Sequence, residues 1–227
     1  MKHSDDPAAG TPVVAPLELD DEPAIAAELF GENHERARSF THELATRGEL
    51  LGLIGPSEAP RLWSRHIVNC ALVAPFLRSG GRLADIGSGA GLPGLVLAIA
   101  RPDVEVTLIE PMERRTDWLL AESSRLALRN VTVLRARAED AIASGPYDQV
   151  TARAVKALRQ LIPMTRPLLD EGGEMLFLKG ERVDQEIADS LKQRRAARLS
   201  EPTVEVLTAD GVPVPTRLFR ATVVGAS

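Results

Sequence analysis

From residue 82 onward, short apolar runs rich in β-branched residues alternate with longer segments of helical spacing. The runs predict five strands, at residues 82–87, 104–109, 131–135, 149–152 and 174–178. Four segments between and after them predict helices, at about 92–100, 113–128, 157–169 and 182–198. This alternation is typical of a parallel doubly wound sheet with helices on both faces, whose ligand site lies beyond the carboxyl ends of the strands.

Two late segments, residues 203–208 and 217–224, alternate in polarity or are rich in β-branched residues. The Gly211-Val-Pro213 turn between them favours an antiparallel hairpin at the sheet edge. We therefore predict an α/β fold with a Rossmann-like, mostly parallel sheet of seven strands.

Before this pattern the chain has an acidic segment followed by segments of helical spacing. Residues 22–48 have helical spacing interrupted at Gly31, and residues 61–77 predict another helix. We expect three regions: a disordered acidic tail at 1–20, N-terminal helices packed on the core at 21–80, and the wound domain at 81–227.

Composition favours a globular protein of a reducing compartment. The 227 residues are 44% apolar and 26% charged, and a single cysteine, Cys70, excludes an internal disulfide. No apolar run approaches the roughly 20 residues of a membrane helix, and the N-terminus lacks the apolar core of a signal peptide. We therefore expect a cytoplasmic protein without membrane contact, and a monomer.

The net charge of −5 is unevenly distributed. Residues 1–35 hold nine acids and one base, whereas the remaining 26 bases and 23 acids leave the rest of the chain at +3. A local basic face is enough for RNA phosphate contacts, although solvated helix surfaces would give similar clusters.

The most informative stretch is Leu83-Ala-Asp-Ile-Gly-Ser-Gly-Ala-Gly-Leu-Pro-Gly94, which predicts a strand, a glycine turn and a helix start. Its second half matches G-x-G-x-x-G, by itself a weak indication of NAD or FAD. Asp85 before the loop favours S-adenosylmethionine, because a carboxylate there attracts the methionine ammonium and repels a pyrophosphate. Glu110, about twenty residues on, can bind ribose hydroxyls of either cofactor. A glycine loop without a ligand remains the third alternative.

Further polar residues follow the other strands of the predicted sheet. Glu139 could accept a hydrogen bond from an adenine amino group or stabilise a helix N-terminus. Arg153 follows the fourth strand, and Lys179 follows the fifth, where it meets RNA phosphate or solvent. Before the sheet, Arg65 and His66 could line a substrate opening, or His66 could be structural. The histidines show no metal-ligand spacing, so we predict no metal.

The fourth strand excludes some methylation chemistries. It continues as Thr151-Ala-Arg-Ala-Val155, without the Asn/Asp-Pro-Pro-Tyr/Phe of enzymes that methylate exocyclic amino groups. Methylation at pyrimidine C5 needs a cysteine nucleophile, and Cys70 lies outside the wound domain. An acceptor that is already nucleophilic remains, such as a purine N7, which carries no proton and needs no general base.

The chain resembles the small-subunit rRNA guanine-N7 methyltransferases, also called glucose-inhibited division protein B, over about residues 25–225. The motifs that carry the resemblance are Arg65-His66, residues 85–94, Ala100-Arg-Pro102, Arg137-Ala-Glu139, residues 147–154 and Leu178-Lys-Gly180. The chain departs from many members at Asn69-Cys70, where they have Asp-Ser.

The resemblance implies a class I methyltransferase fold at 81–227 that uses S-adenosylmethionine. The implied reaction is N7 methylation of one guanine in the decoding-region loop of 16S rRNA, as naked RNA, small subunit or assembly intermediate. Expected cofactor contacts are Asp85, Gly87, Gly89, Gly91, Leu92, Glu110, Ala138, Glu139 and Arg153. Arg153 is also the expected catalytic residue, through positioning, and Arg65, His66 and Lys179 are the expected RNA contacts. The alternatives are a small-molecule methyltransferase, an NAD-linked oxidoreductase and a catalytically silent RNA-binding or division-linked protein.

Overall fold

A computed structural model describes residues 19–225. Its centre is one sheet of seven strands in the order β3-β2-β1-β4-β5-β7-β6. The strands are β1 Arg82–Ile86, β2 Glu105–Ile109, β3 Val131–Leu134, β4 Tyr147–Arg153, β5 Leu169–Lys179, β6 Thr203–Leu207 and β7 Thr216–Thr222. The first five are parallel, and β7 pairs antiparallel with both β5 and β6. The predicted sheet, including the late hairpin, is confirmed.

The strand order reverses at the centre of the sheet. The chain runs outward from β1 through β2 to β3 and then returns to the other side of β1 with β4. The carboxyl ends of β1 and β4 therefore open a crevice between them, the usual place for a ligand in such sheets.

Helices cover both faces of the sheet. They are α1 Ile25–Phe30, α2 His34–Arg47, α3 Val68–Ala71, α4 Gly94–Ala100, α5 Glu113–Arg125, α6 Leu158–Thr165, α7 Val183–Asp189 and α8 Leu191–Ala196. Successive residues of a strand point to opposite faces, so Leu176 packs with the helices of one face and Phe177 with those of the other. The N-terminal helices add Phe40 and Trp63 to the first of these two cores.

The N-terminal extension is less regular than predicted. Gly31, at a φ of +48°, separates α1 from α2 as expected. The single helix predicted at 61–77 is wrong: the segment consists of a 3₁₀ turn at 59–61, a π-helical turn at 62–67, α3, and a 3₁₀ turn at 74–76. Pro75 lies in the second 3₁₀ turn, where proline lacks the amide that a continuing α-helix needs.

The folded region includes two residues that the sequence assigned to the tail. Leu19 packs against the core, and the Asp20 carboxylate accepts hydrogen bonds from the Trp63 and Ser64 amides at 2.9 and 2.8 Å. The other residues of the predicted tail, 1–18, lie outside the described residues. Within residues 19–225 no helix is long and apolar enough to cross a membrane.

Candidate active site

The glycine loop after β1 requires its glycines for different reasons. Gly87, Gly89 and Gly91 have φ values of +69°, +55° and +95°, a region that other residues rarely adopt. A Cβ on Gly91 would lie 2.4 Å from Leu95, so that glycine is needed for packing. The nearest contact of a Cβ on Gly89 would be 3.7 Å away, so Gly89 faces open space where a ligand can approach the backbone.

Glu110, at the end of β2, holds the loop. Its carboxylate accepts hydrogen bonds from the amides of Gly89 and Met112, both at 3.0 Å, and its side chain is only 2% exposed. Each carboxylate oxygen can accept a further bond, so the predicted contact with a ribose is chemically compatible with this role.

Asp85 lies beneath the loop. It is buried, its Oδ2 accepts a hydrogen bond from the Gly94 amide at 3.0 Å where α4 begins, and its Oδ1 has no partner among the described residues. Burial is the main cause that raises the pKa of Asp85 to about 7, and the Glu110 charge adds to it. The carboxylate is therefore poorly compensated, and a nearby cation would stabilise it.

A cleft of about 640 Å³ opens above this loop; we call it the loop cleft. Its walls are residues 87–90 and 92 of the loop, 110–112 and Arg115 after β2, 153–155 after β4, and 53–55, Glu58 and His66 of the N-terminal extension. The structure thus brings Gly87, Gly89, Leu92, Glu110 and Arg153 to one cleft, whereas Asp85 and Gly91 are not among the residues that line it. The contact of these residues with a cofactor stays a prediction.

Ala138 and Glu139 are placed differently. They begin a 3₁₀ segment after β3, where Ala138 is buried and Glu139 is exposed, and neither is among the residues that line the loop cleft. Their contact with an adenine stays a prediction.

Arg153 is a cation among neutral partners. Its Nη2 donates to His66 Nδ1 at 2.7 Å and to the Arg65 carbonyl at 3.2 Å, and its Nη1 lies 3.4 Å from Cys70 Sγ. The ion pairs of residues 19–225 do not include it. The positive charge is therefore available to an anionic group of a ligand.

His66 bridges Arg153 to Glu58. A guanidinium can only donate, so Nδ1 of His66 must accept, and its proton lies on Nε2, which donates to Glu58 Oε2 at 2.6 Å. Burial first, and then the Arg153 charge, lower the pKa of His66 to about 4. The imidazole is therefore neutral at physiological pH, and both of its nitrogens are engaged.

A second cavity of about 790 Å³ shares residues 153–155 with the loop cleft; we call it the basic groove. Its basic side chains are Arg65, Arg153, Lys156, Lys179, Arg182 and Arg217, against only Glu181 and Glu186. Lys156, Arg182 and Arg217 have no acidic partner in the part of the chain that the structure describes. Arg153 therefore lies at the junction of the loop cleft and the basic groove.

Lys179 differs from the other bases of this groove. Its ammonium pairs with Glu186 at 2.7 Å and donates to the Lys156 carbonyl at 2.9 Å, with a side chain only 9% exposed. Glu186 also accepts the amide of Leu158 at the start of α6. Lys179 therefore ties β5 to α7 and to the segment before α6, and its charge is already balanced.

Sequence reasoning missed Glu58 and the wall at residues 53–55. They lie in a loop rich in glycine and proline that has no periodic pattern, and they reach the site only through tertiary packing. Among residues 19–225 no group of histidine, cysteine and carboxylate side chains has the arrangement of a metal site.

The fold and the loop cleft define the class of protein. A precorrin-6y C5,15-methyltransferase from Geobacter metallireducens superposes with a TM-score of 0.53 at 15% identity, over 74% of this chain and 89% of its own. A SAM-dependent O-methyltransferase from Thermotoga maritima gives 0.52 at 20%, over 70% and 66%. The chain has the class I methyltransferase fold.

The chain belongs to the rRNA small subunit methyltransferase G family, whose sequence model matches residues 33–210. A ribosomal RNA small subunit methyltransferase G from Leifsonia xyli is 55% identical over 202 residues, which cover 89% of this chain and 96% of the relative. The resemblance is confirmed, and with it an enzyme that methylates rRNA; the oxidoreductase alternative is wrong.

Proposed function

We propose that this enzyme transfers a methyl group from S-adenosylmethionine to N7 of a guanine in the decoding-region loop of 16S rRNA. The observation that carries the proposal is Arg153, an uncompensated cation that lines both the loop cleft and the basic groove. One arginine thereby borders the space for a compact cofactor and the space for an anionic polymer.

The residues of the loop cleft fit this cofactor. Its volume of about 640 Å³ lies within the usual range for small-molecule sites. The open side of Gly89 admits close approach of a ligand to the backbone, with Gly87 and Leu92 beside it. Glu110 would hold the ribose hydroxyls, and Arg153 the methionine carboxylate.

Asp85 supports a cationic cofactor in particular. Its buried Oδ1 lacks a partner in residues 19–225, and its pKa of about 7 reflects an unfavourable carboxylate. A sulfonium or ammonium placed above the loop would stabilise that charge, whereas a dinucleotide pyrophosphate would oppose it.

The basic groove supports an RNA substrate. Phosphate contacts supply much of the affinity for nucleic acids, and Lys156, Arg182 and Arg217 offer unpaired charges for them within the described structure. The net charge of −5 does not prevent this, because residues 36–227, with 26 bases and 23 acids, carry a net charge of +3.

For this reaction the protein has to position the reactants and does not have to transfer a proton. When bound, the cofactor supplies a methyl group on a positively charged sulfur, which the N7 lone pair can attack. N7 carries no proton, so no base is needed. His66 has both nitrogens occupied and Arg153 cannot accept a proton at neutral pH. The contribution of Arg153 is to hold its anionic partner in reacting geometry.

The test is transfer of a labelled methyl group by the purified enzyme to small subunits and naked 16S rRNA that lack the mark. Borohydride and aniline, which cleave RNA at N7-methylguanine, then map the product. We expect one new cleavage site at a guanine. Label on small molecules alone, or at another atom of the base, would contradict the proposal.

We further propose that the enzyme acts in the cytoplasm, as a monomer.

A further inference from the structure

We propose that Glu58 and His66 are positioning residues for Arg153, so that the N-terminal extension completes the active site instead of only covering the sheet. The inference rests on the proposed role of Arg153 in methyl transfer. It assigns to two residues outside the wound domain the task of fixing the guanidinium where the loop cleft meets the basic groove.

The hydrogen bonds from Arg153 through His66 to Glu58 all run in one direction. From Arg153 Nη2 to His66 Nδ1 the distance is 2.7 Å, and from His66 Nε2 to Glu58 Oε2 it is 2.6 Å. Because the arginine only donates and the carboxylate only accepts, a single imidazole tautomer satisfies both contacts. Glu58 therefore selects the tautomer that Arg153 requires.

The other contacts of Arg153 are weaker than its hydrogen bond to His66. Apart from His66, its guanidinium has the Arg65 carbonyl at 3.2 Å and Cys70 Sγ at 3.4 Å. Sulfur is a weak acceptor, and a long side chain held by one carbonyl keeps much of its freedom. His66 thus provides the shortest contact of the group.

The partners of Arg153 come from outside the wound domain. Arg153 ends β4, whereas Glu58, Arg65, His66 and Cys70 all belong to the extension before the sheet. Glu58, His66 and Arg153 line the same loop cleft, and Glu58 follows directly on the wall at 53–55. The arginine is therefore held by the segment that closes the cleft.

We call the hydrogen-bonded series Arg153–His66–Glu58 the relay. It predicts a specific effect of substituting Glu58, the residue farthest from Arg153. Without the Glu58 carboxylate, the imidazole can move its proton to Nδ1, which then faces a guanidinium donor and loses the bond. Removing Glu58 should therefore disturb Arg153 across two hydrogen bonds, although no residue that contacts Arg153 directly is substituted.

The experiment is a double-mutant cycle on kcat and KM for cofactor and RNA. We expect Glu58→Ala and His66→Ala each to lower kcat by about tenfold to a hundredfold, the scale of a misplaced catalytic group. In an Arg153→Ala background, adding Glu58→Ala should change kcat by less than about twofold, because the two act as one unit. Losses that simply multiply in the double variant would overturn the proposal.

Two conservative variants separate positioning from folding. His66→Gln offers a carbonyl to Arg153 and an amide to Glu58, and Glu58→Gln keeps an acceptor for Nε2. Both should retain kcat within a few-fold, and circular dichroism should show the same fold. The matched control is Glu43→Ala, which removes a carboxylate of similar exposure (23% against 21%) that pairs with Arg47 in the same extension; it should leave kcat unchanged.

A spectroscopic readout keeps this inference distinct from the proposed function. Nitrogen-15 NMR of the imidazole should show the proton on Nε2 in the wild type and a shift toward Nδ1 in Glu58→Ala. The position of the proton is measured without any methyl transfer. An enzyme inactive on rRNA would therefore refute the proposed function, while the NMR spectra would still test the relay. An unchanged tautomer in Glu58→Ala would overturn the relay.

Discussion

Single residues decide what this site can bind, and Gly89 is the sharpest case. Its φ of +55° is one that residues other than glycine rarely adopt, yet a side chain there would meet almost nothing of the protein. The strain argument alone would apply equally to Gly80, which has a φ of +64° and no neighbour within 4 Å of an added Cβ.

These two glycines give a matched prediction. Gly89→Val and Gly80→Val should both destabilise the fold by about 1–3 kcal/mol, the cost of a strained backbone. Only Gly89→Val should abolish binding of S-adenosylmethionine in calorimetry, because its side chain fills the ligand space. Wild-type affinity in folded Gly89→Val would remove the loop from the cofactor site.

Asp85 predicts a pH dependence of stability. Its pKa is 3.8 when unfolded and about 7 in the fold, so the folded chain keeps a proton that the unfolded chain releases. The contribution of Asp85 to the free energy of unfolding is fully present below pH 4 and is lost as the pH rises to 7. The free energy of unfolding falls by at most about 1.4 kcal/mol per pH unit for this reason.

Asp85→Asn keeps an oxygen for the Gly94 amide and removes the titration. In urea denaturation, the variant should gain stability relative to the wild type as the pH rises from 5 to 8. His66, whose folded pKa is depressed, titrates in both proteins and cancels in the difference. Parallel stability curves would contradict the assigned burial of an uncompensated carboxylate.

At the scale of elements, the ends of the strands make the site and the segments after them hold it in place. Lys179 at the end of β5 is tied to Glu186 on α7, whereas Lys156 after β4 is exposed in the basic groove. Two lysines of the same groove should therefore behave differently.

The prediction compares Lys156→Met with Lys179→Met. The first should reduce the slope of log K for RNA against log salt by about one and leave stability nearly unchanged. The second should cost about 1–3 kcal/mol of folding free energy, since it leaves Glu186 unpaired, with no change of slope. Filter binding at several salt concentrations and urea denaturation provide both readouts, and the reverse pattern would refute the assignment.

The periodic parts of the sequence predicted the helices and strands well, but they did not predict where the helices end or which side chains contact each other across the fold. Most strands and helices from residue 82 to 222 follow local patterns, and so does the convergence of Glu110 and Arg153 on one cleft. The single helix predicted at 182–198 is wrong, because the segment forms two helices, α7 and α8, on either side of Ser190. The predicted helices extend too far along the chain. A helix was predicted at 157–169, but α6 ends at Thr165 because Pro167 interrupts it. The partners of Lys179 and Arg153 depend on contacts across 7 to 88 positions, which no local pattern encodes.

At the scale of the whole molecule, the wound sheet provides most of the loop cleft and the N-terminal extension forms one of its walls. The two cores on opposite faces keep β1 and β4 rigid, so their carboxyl ends hold the glycine loop and Arg153 in fixed relation. Charge follows the same division, with a cationic groove at this edge in a chain that is acidic overall.

The most direct measurement is a map of N7-methylguanine in 16S rRNA from cells with and without the gene, by borohydride–aniline cleavage and primer extension. The account predicts one cleavage site at a guanine of the decoding-region loop. The site should be absent in the deletion strain, restored by the wild-type gene, and restored weakly or not at all by Arg153→Ala. Identical cleavage patterns in the wild-type and deletion strains would contradict it.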